Sequence, residues 1–593
     1  MSRLADWRDG WRFGLLLALL TTLAYAPVFR AEFIWDDDMF ITDNPLLLSV
    51  DGLRVIWLAP KENPQYYPLL LTLFWLQYRV FGSDPTGYHV VTLLFHILAS
   101  LAVWRLARRV TPGAALWVGL LFALHPMQVQ SVAWATELKN TLSGFFYVAA
   151  LVHWVRYLQV HDPGGSGRPR RELGWAALHF VCATLSKTTS SSWPLAAVLL
   201  ALYLRKPIRA RMLLFLLPTL LLGFFIGWIS VVVEHSGYGR GVPTIMSTAE
   251  KWIVAGRSLW FYLGKFIWPD PLLLVYPRWA LHADRWWEWL WPVSVPLGMM
   301  LLWQARRRLG RGPFLGAIFF VIALAPVPFL GINFIYLYSY VADHFIYIPS
   351  LPLVFCAGAL VHRLICAAPP MPARIVRVGL LGALLVLTFR HSANFHGLET
   401  IWRHNLRHFP DSVVGWMNYG YAVSRRGAHD EEVQAYRRVT QIDPAYAPAH
   451  NDMGLALAAL GELDAAERAF RRAYELDPGL TEARHNLGNL FAQQDRWREA
   501  IPLFEEVLGV RPDHLLARLN LSHAYRLDGR PELAEPLVEF ALRQDPKSAG
   551  VWYEAGMVSA ALGRMDEARE RLDRALAIQP DYPEAAAARD GLQ

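Results

Sequence analysis

Three consecutive aspartates, Asp36, Asp37 and Asp38, follow Phe33, Ile34 and Trp35 just beyond the first apolar stretch of the chain. Adjacent carboxylates raise one another's proton affinity unless a cation is near. One of them can act as a general base that takes the proton of an acceptor hydroxyl, with a neighbour orienting it or holding a divalent cation. The competing reading is a solvated turn whose carboxylates cap the start of a following helix. A calcium loop is disfavoured, because the glycine at its sixth position and the glutamate at its twelfth are missing.

Other side chains offer related chemistry. Lys187, followed by Thr188, Thr189 and Ser190, presents a cation and hydroxyls to a phosphate, or else snorkels to a membrane interface. Glu137 and Lys139 lie within one turn of each other in an apolar stretch. Each charge there costs about 2.5 to 3.5 kcal/mol on insertion scales, so they pair or sit at an interface. His89 and His96 are seven residues apart on one helix face and either line a cavity or hydrogen-bond inside a bundle. His125, before Pro126, either lines a cavity or closes a helix end.

The elements that must position these groups belong to a membrane protein. Of 593 residues 54% are hydrophobic and only 18% charged, with 25 Trp, which is outside the soluble range. The net charge of +7 resides in short basic clusters between apolar runs, so no basic stripe marks a nucleic-acid partner. Cys182, Cys356 and Cys366 fall in or beside apolar segments and offer neither a disulfide frame nor a metal cluster.

Residues 13 to 29 form a first span preceded by Arg3, Arg8 and Arg12, and residues 31–85 form a long outer loop that holds the aspartates and Tyr67. Further apolar runs occur near 88 to 107, 113 to 125, 138 to 158, 173 to 187, 190 to 204, 212 to 233, 288 to 303, 313 to 332, 344 to 365 and 374 to 389. With eleven spans every Arg-rich connection falls on the cytoplasmic side. Residues 250 to 277 are read as an interfacial or re-entrant helix, because a crossing there would reverse the later clusters.

From Pro410 the chain is periodic. Pro410, Pro444, Pro478, Pro512, Pro546 and Pro580 stand 34 residues apart, the tetratricopeptide repeat length. Gly420, Gly454, Gly488, Ser522 and Gly556 keep register for close packing, and Tyr436, Phe470, Phe504, Val538 and Leu572 fill the space between helices. The fold class is therefore all-α: a polytopic membrane domain over 1–392, a connecting helix at 393–410 and a solenoid of five repeats over 411–593.

The aspartates after the first span, the loop with Tyr67-Pro68, Tyr88-His89-Val90-Val91 with His96, and His125-Pro126-Met127-Gln128 through Trp134 resemble the GT-C membrane glycosyltransferases. Ser186-Lys187-Thr188-Thr189 and Ala342-Asp343-His344-Phe345 follow the same order. With repeats after the spans, the chain resembles the transmembrane and tetratricopeptide-repeat-containing O-mannosyltransferases. The resemblance implies helices around a lipid-facing cavity, a polyprenyl-phosphate sugar donor and an inverting transfer to a protein or other hydroxyl acceptor. It also implies an acidic base in the first outer loop, with Asp37 preferred, then Asp36, and Asp38 in support. Lys187, Arg240, Arg257, Lys265 and His344 are the candidates for the donor phosphate, where family members often have arginine in place of His344. His89, His125, Glu137, Lys139 and Tyr67 would line the cavity. A divalent cation, Mg2+ or Mn2+, is an option beside the lipid-phosphate sugar as co-substrate. The alternatives are a non-catalytic membrane scaffold that binds a partner through its repeats, and an O-antigen-ligase-like enzyme. The Arg-rich, Ala-rich and Leu-rich composition suits a bacterial inner membrane, with loop and repeats in the periplasm; in a eukaryote the same topology would put them in the lumen of the endoplasmic reticulum.

Overall fold

The computed structural model describes residues 2–160, 168–236, 246–325, 327–329 and 337–592. Among these residues every regular element is helical, so the all-α expectation holds. The chain divides into two compact units, Met1–Pro410 and Asp411–Gln593.

In the first unit three helices are long and apolar enough to cross a membrane: Pro85–Val110, Ala210–His235 and Pro370–His396. A fourth crossing is made if the pair Pro112–Leu124 and Pro126–Ala133, bent by 48°, counts as one span. The break follows from Pro126, which lacks an N–H and holds His125 in an extended conformation. The His125 Nδ1 then accepts the Met127 N–H, so this histidine closes a helix end. Gly10–Ala24, Gly312–Leu324 and Leu351–Ala367 are apolar but shorter. Length and composition thus support three or four crossings among the described residues, where the apolar runs suggest eleven. The helix Leu138–Gln159 carries Lys139, Asn140, His153 and Arg156, and the apolar runs before and after Lys187 are separated by a tight turn at Thr188–Ser192.

The 250 to 277 segment is one helix, Thr248–Ile267, followed by irregular chain. Its start is set by a reciprocal cap between Ser247 and Glu250. One face buries Ile253, Val254, Leu259 and Tyr262, and Trp252 and Trp260 stand exposed on the other. The helix Leu398–His408 within the 393–410 connection packs in the first unit, where the Asn405 side chain exchanges two hydrogen bonds of 3.1 Å with the Val275 backbone.

The second unit is five consecutive helix pairs, from Val413–Ser424 with His429–Ile442 to Ala549–Ala561 with Met565–Ile578, closed by Pro583–Asp590. A side chain added at Gly454 would meet the Phe470 ring at 2.6 Å, and one at Gly488 the Phe504 ring at 2.7 Å. The repeated glycine is therefore the spacing that lets the two helices of a pair touch across a buried ring. Gly454→Leu is expected to destabilise the repeats by about 1–3 kcal/mol. Gly509→Ala, inside a helix with open space at that position, should be neutral or stabilising by up to about 1 kcal/mol. Denaturant unfolding of both variants checks this, and equal effects would remove the packing argument.

Candidate functional site

The aspartate turn is locally closed. The Asp37 Oδ2 accepts the Ile34 N–H at 2.8 Å, and its own N–H donates back to the Ile34 carbonyl at 3.1 Å. Closing this turn puts Trp35 in the left-handed region at φ 51°, a conformation that costs a bulky residue of order 1–3 kcal/mol. The Trp35 ring offsets this by packing on Trp402, with centroids 5.0 Å apart, and edge-on to Tyr338 at 5.8 Å.

Asp37 is fully buried, and its other oxygen accepts both the Thr136 N–H, at 2.8 Å, and the Thr136 hydroxyl. Its oxygens are thus used to dock the first loop on the Thr136–Asn140 turn. Burial and the adjacent Asp36 push its carboxyl up to about 8. Asp36 differs, because its Oδ1 is buried with no hydrogen-bond partner. Burial pushes its carboxyl up to about 6, against the pull of Lys139 and with a further push from Glu137. A carboxylate poised near neutrality with a free oxygen is suited to general-base work. Asp38 starts a short wide helical turn, Asp38–Thr42, and accepts from Thr42.

Glu137 is the hub of the cluster. Its Oε1 lies 2.9 Å from the Lys139 Nζ and 3.9 Å from the His344 Nε2, and its Oε2 lies 3.7 Å from the Lys187 Nζ and accepts from the Asn140 amide. Burial alone would raise this carboxyl, but His344, Lys139 and Lys187 outweigh it and hold the group down at about 2. Lys187 also donates to the Asn140 Oδ1 at 2.6 Å. Lys139 faces the Phe40 ring at 5.4 Å and is electrostatically coupled to Asp36 as well as to Glu137. His344 is held by its N–H on the Gln130 Oε1 at 2.8 Å and by an edge contact with Trp134, and its Nδ1 is buried without a partner. Tyr67 is buried beside them and hydrogen-bonds Thr188.

The structure therefore gathers Asp36, Asp37, Glu137, Lys139, Lys187, His344 and Tyr67 from five stretches of chain. It does not bring the other candidates to them. His89 contacts the Glu32 carbonyl at 3.4 Å, and His96 bonds the Tyr347 hydroxyl at 2.8 Å and the Ala123 carbonyl at 3.0 Å. His125 is stacked on Phe266 and bonded to its carbonyl at 2.9 Å. Arg257 lies over Trp279 at 4.5 Å and Trp291 at 5.6 Å. Lys265 donates to the Pro271 carbonyl near Asp343, whose carboxyl is pushed up to about 7 by burial, against the Tyr276 hydroxyl bound to it. Arg240 lies outside the described residues. Thr136 and Asn140 were not anticipated, although a polar run, Thr136, Glu137, Lys139 and Asn140, inside apolar sequence is their signal. Gln65 and Glu234, which meet at 3.2 Å across 169 residues, carry no such signal.

A divalent cation would have to draw on oxygens other than those of Asp37 and Glu137. Mg2+ and Mn2+ need several free oxygen ligands. The Asp37 and Glu137 oxygens here are engaged by N–H, O–H and ammonium donors. No group of three His, Cys, Asp or Glu side chains with metal-binding geometry occurs among the described residues.

Two family models match the chain: dolichyl-phosphate-mannose-protein mannosyltransferase over residues 63–230, and tetratricopeptide repeat over 457–519 and 525–590. The first window holds Gln65, Tyr67, Glu137, Lys139 and Lys187 but not the aspartates. The chain is 28% identical over 167 residues to the protein O-mannosyl-transferase F38B6.6 of Caenorhabditis elegans, covering 26% of this chain and 24% of that one. It is 25% identical over 152 residues to the human protein O-mannosyl-transferase TMTC3, covering 24% and 16%. The chain thus spans about a quarter or less of the length of these relatives. Among solved structures, YrrB, a TPR protein with an unusual peptide-binding site, is 20% identical and covers 32% of this chain and 97% of that one, with a TM-score of 0.29. The similarity to protein O-mannosyltransferases with repeats, expected from the sequence, is thus found.

Removing the hub charge takes the nearest counter-ion from two buried ammonium groups, so Glu137→Gln should cost about 3–5 kcal/mol. Because the Glu137 carboxyl is held below its ordinary value, its stabilisation is present above the ordinary carboxylate range and lost as pH falls toward about 2. Unfolding in detergent measures the loss, and Lys139→Met in the Glu137→Gln background should restore part of it. A change below about 1 kcal/mol, typical of exposed pairs, would contradict the hub role.

Proposed function

We propose that this chain is a GT-C-type membrane glycosyltransferase that moves a mannose-like sugar from a polyprenyl-phosphate donor to a hydroxyl of a protein acceptor. The observation that carries this reading is the free buried oxygen of Asp36 beside the Glu137–Lys139–Lys187 cluster. The similarity of residues 63–230 to mannosyltransferases supports the substrate class.

In the proposed step the acceptor oxygen attacks the anomeric carbon from the face opposite the phosphate. Its proton passes to the Asp36 carboxylate, the bond from the anomeric carbon to the phosphate oxygen breaks, and the lipid phosphate leaves with the electron pair. Asp37, whose oxygens are occupied, positions the loop and is not the base. Lys187 stands farther from Glu137 than Lys139 does, 3.7 against 2.9 Å, so its ammonium is the freer to meet the phosphate. The repeats recruit the acceptor on their concave face. Eleven crossings, with loop and repeats in the periplasm and undecaprenyl phosphate as the carrier, complete the reading.

Asp36→Asn should reduce transfer from a lipid-linked mannose at least about 100-fold with expression unchanged. In the wild type, transfer should rise with pH through about 6, as Asp36 loses its proton, and this limb should vanish in Asp36→Asn. Unchanged transfer by Asp36→Asn would sink the base assignment and favour a scaffold. A single cysteine at Arg498, 91% exposed, in a variant lacking Cys182, Cys356 and Cys366, should react with an impermeant reagent in intact cells. Reaction only after permeabilisation would overturn the topology.

A further inference from the structure

The hydrogen bond between Gln65 and Glu234 has no role in the step above. It joins the first loop to the end of the helix Ala210–Ser236, a candidate membrane span. The Gln65 Nε2 donates to the Glu234 Oε1, which leaves the Gln65 Oε1 and the Glu234 Oε2 buried and without partners. Two orphaned acceptors, one on each partner of a single hydrogen bond, are costly in a folded protein unless a ligand supplies donors. Glu234 is coupled electrostatically to Lys139 and Lys187, the lysines that flank Glu137.

A groove of about 390 Å³ lies near this pair in the chain, lined by residues 59–62 of the first loop, with Lys61 and Glu62 its charged members, and by Trp228, Ile229, Val232 and Val233. Its last helical residue directly precedes Glu234. Apart from Lys61 and Glu62 its walls are apolar, and one of them is a helix suited to the bilayer, so the groove fits a hydrocarbon chain better than a peptide.

The ligand's head chemistry follows from the orphaned atoms. A phosphate has no hydrogen to give at neutral pH and is repelled by a carboxylate. Neighbouring hydroxyls on a sugar ring supply a donor to each of the two acceptors. We propose that Gln65 and Glu234 form the subsite that accepts the hydroxyls of the donor's sugar, with the prenyl chain in the groove beside them. This rests on the glycosyltransferase reading. It assigns sugar selection to Glu234, leaves the leaving phosphate to Lys187, and makes Glu234 a specificity-determining residue.

The test uses the full chain in phosphatidylglycerol nanodiscs, titrated with undecaprenyl phosphate with and without a mannosyl group. Glu234→Gln should weaken binding of the mannosylated lipid about tenfold, the scale of one lost charge-assisted hydrogen bond, and leave the bare lipid phosphate within about twofold. Gln65→Leu should act in the same direction, and Trp228→Ala should weaken both lipids alike. Equal weakening of both lipids by Glu234→Gln, or none, would overturn the subsite. Displacement of the mannosylated lipid by added phosphatidylethanolamine, whose ammonium is also a donor, would overturn the sugar assignment. Asp36→Asn separates the two claims, since it should bind both lipids as the wild type does. If Asp36→Asn still transfers sugar, the base assignment fails while the binding difference at Glu234 continues to support the subsite.

Discussion

A carboxylate buried at Glu137 can exist as an anion only because cations and an amide surround it, and the first unit is assembled around that requirement. Lys139 comes from its own turn, Lys187 from the end of another helix and His344 from a distant segment. Separating either lysine from the hub would strand a charge in a medium that cannot solvate it, at a cost several times that of an exposed pair. The cluster therefore adds a directional constraint to segments that also share an apolar core, in which Phe40, Tyr67, Leu138 and Leu142 pack together. The Asp37 contacts with Ile34 and Thr136 then dock the aspartate loop on the same turn.

That docking separates two residues that are chemically identical and adjacent. Asp37 spends its oxygens on backbone and hydroxyl donors, and so holds structure. Asp36 keeps an oxygen free and is left with a proton affinity near neutrality. The left-handed Trp35 shows what this arrangement demands of the backbone, since the strain is borne next to the free carboxylate and balanced by aromatic packing on Trp402. A fully satisfied turn would be more stable and could not accept a proton from a substrate.

The repeat unit follows different physics. The first three helix pairs bury a ring from one helix against a glycine of the other, the fourth has Val538 and Ser522 at these places and the fifth sets Leu572 against Gly556, and each pair contacts its neighbours in sequence. Stability is then close to a sum of similar local terms, and no single buried charge governs it. Arg526 with Glu554 is a largely buried ion pair of this unit, whereas pairs such as Arg472 with Glu475 and Arg426 with Glu431 face solvent and contribute little by comparison.

Local order and partner chemistry divide what the sequence determined from what the fold decided. The 34-residue period, the glycine and ring positions and the all-helical class were legible because each depends on residues within one repeat or one turn. The aspartates were legible as a group, since charge beside an apolar run demands a reason. Which aspartate is free was not legible, because the answer lies in Thr136, a residue 99 positions away. Nor could sequence separate His89, His125 and Arg257, which meet carbonyls and rings of other segments, from Lys187 and His344, which converge on Glu137. The number of crossings stayed beyond composition as well, because turns at Pro126 and Thr188 break apolar runs that hydropathy alone reads as continuous or separate spans. Gln65 and Glu234 show the limit most plainly: each is an ordinary polar residue in its own segment, and only the fold brings their unpaired acceptors together.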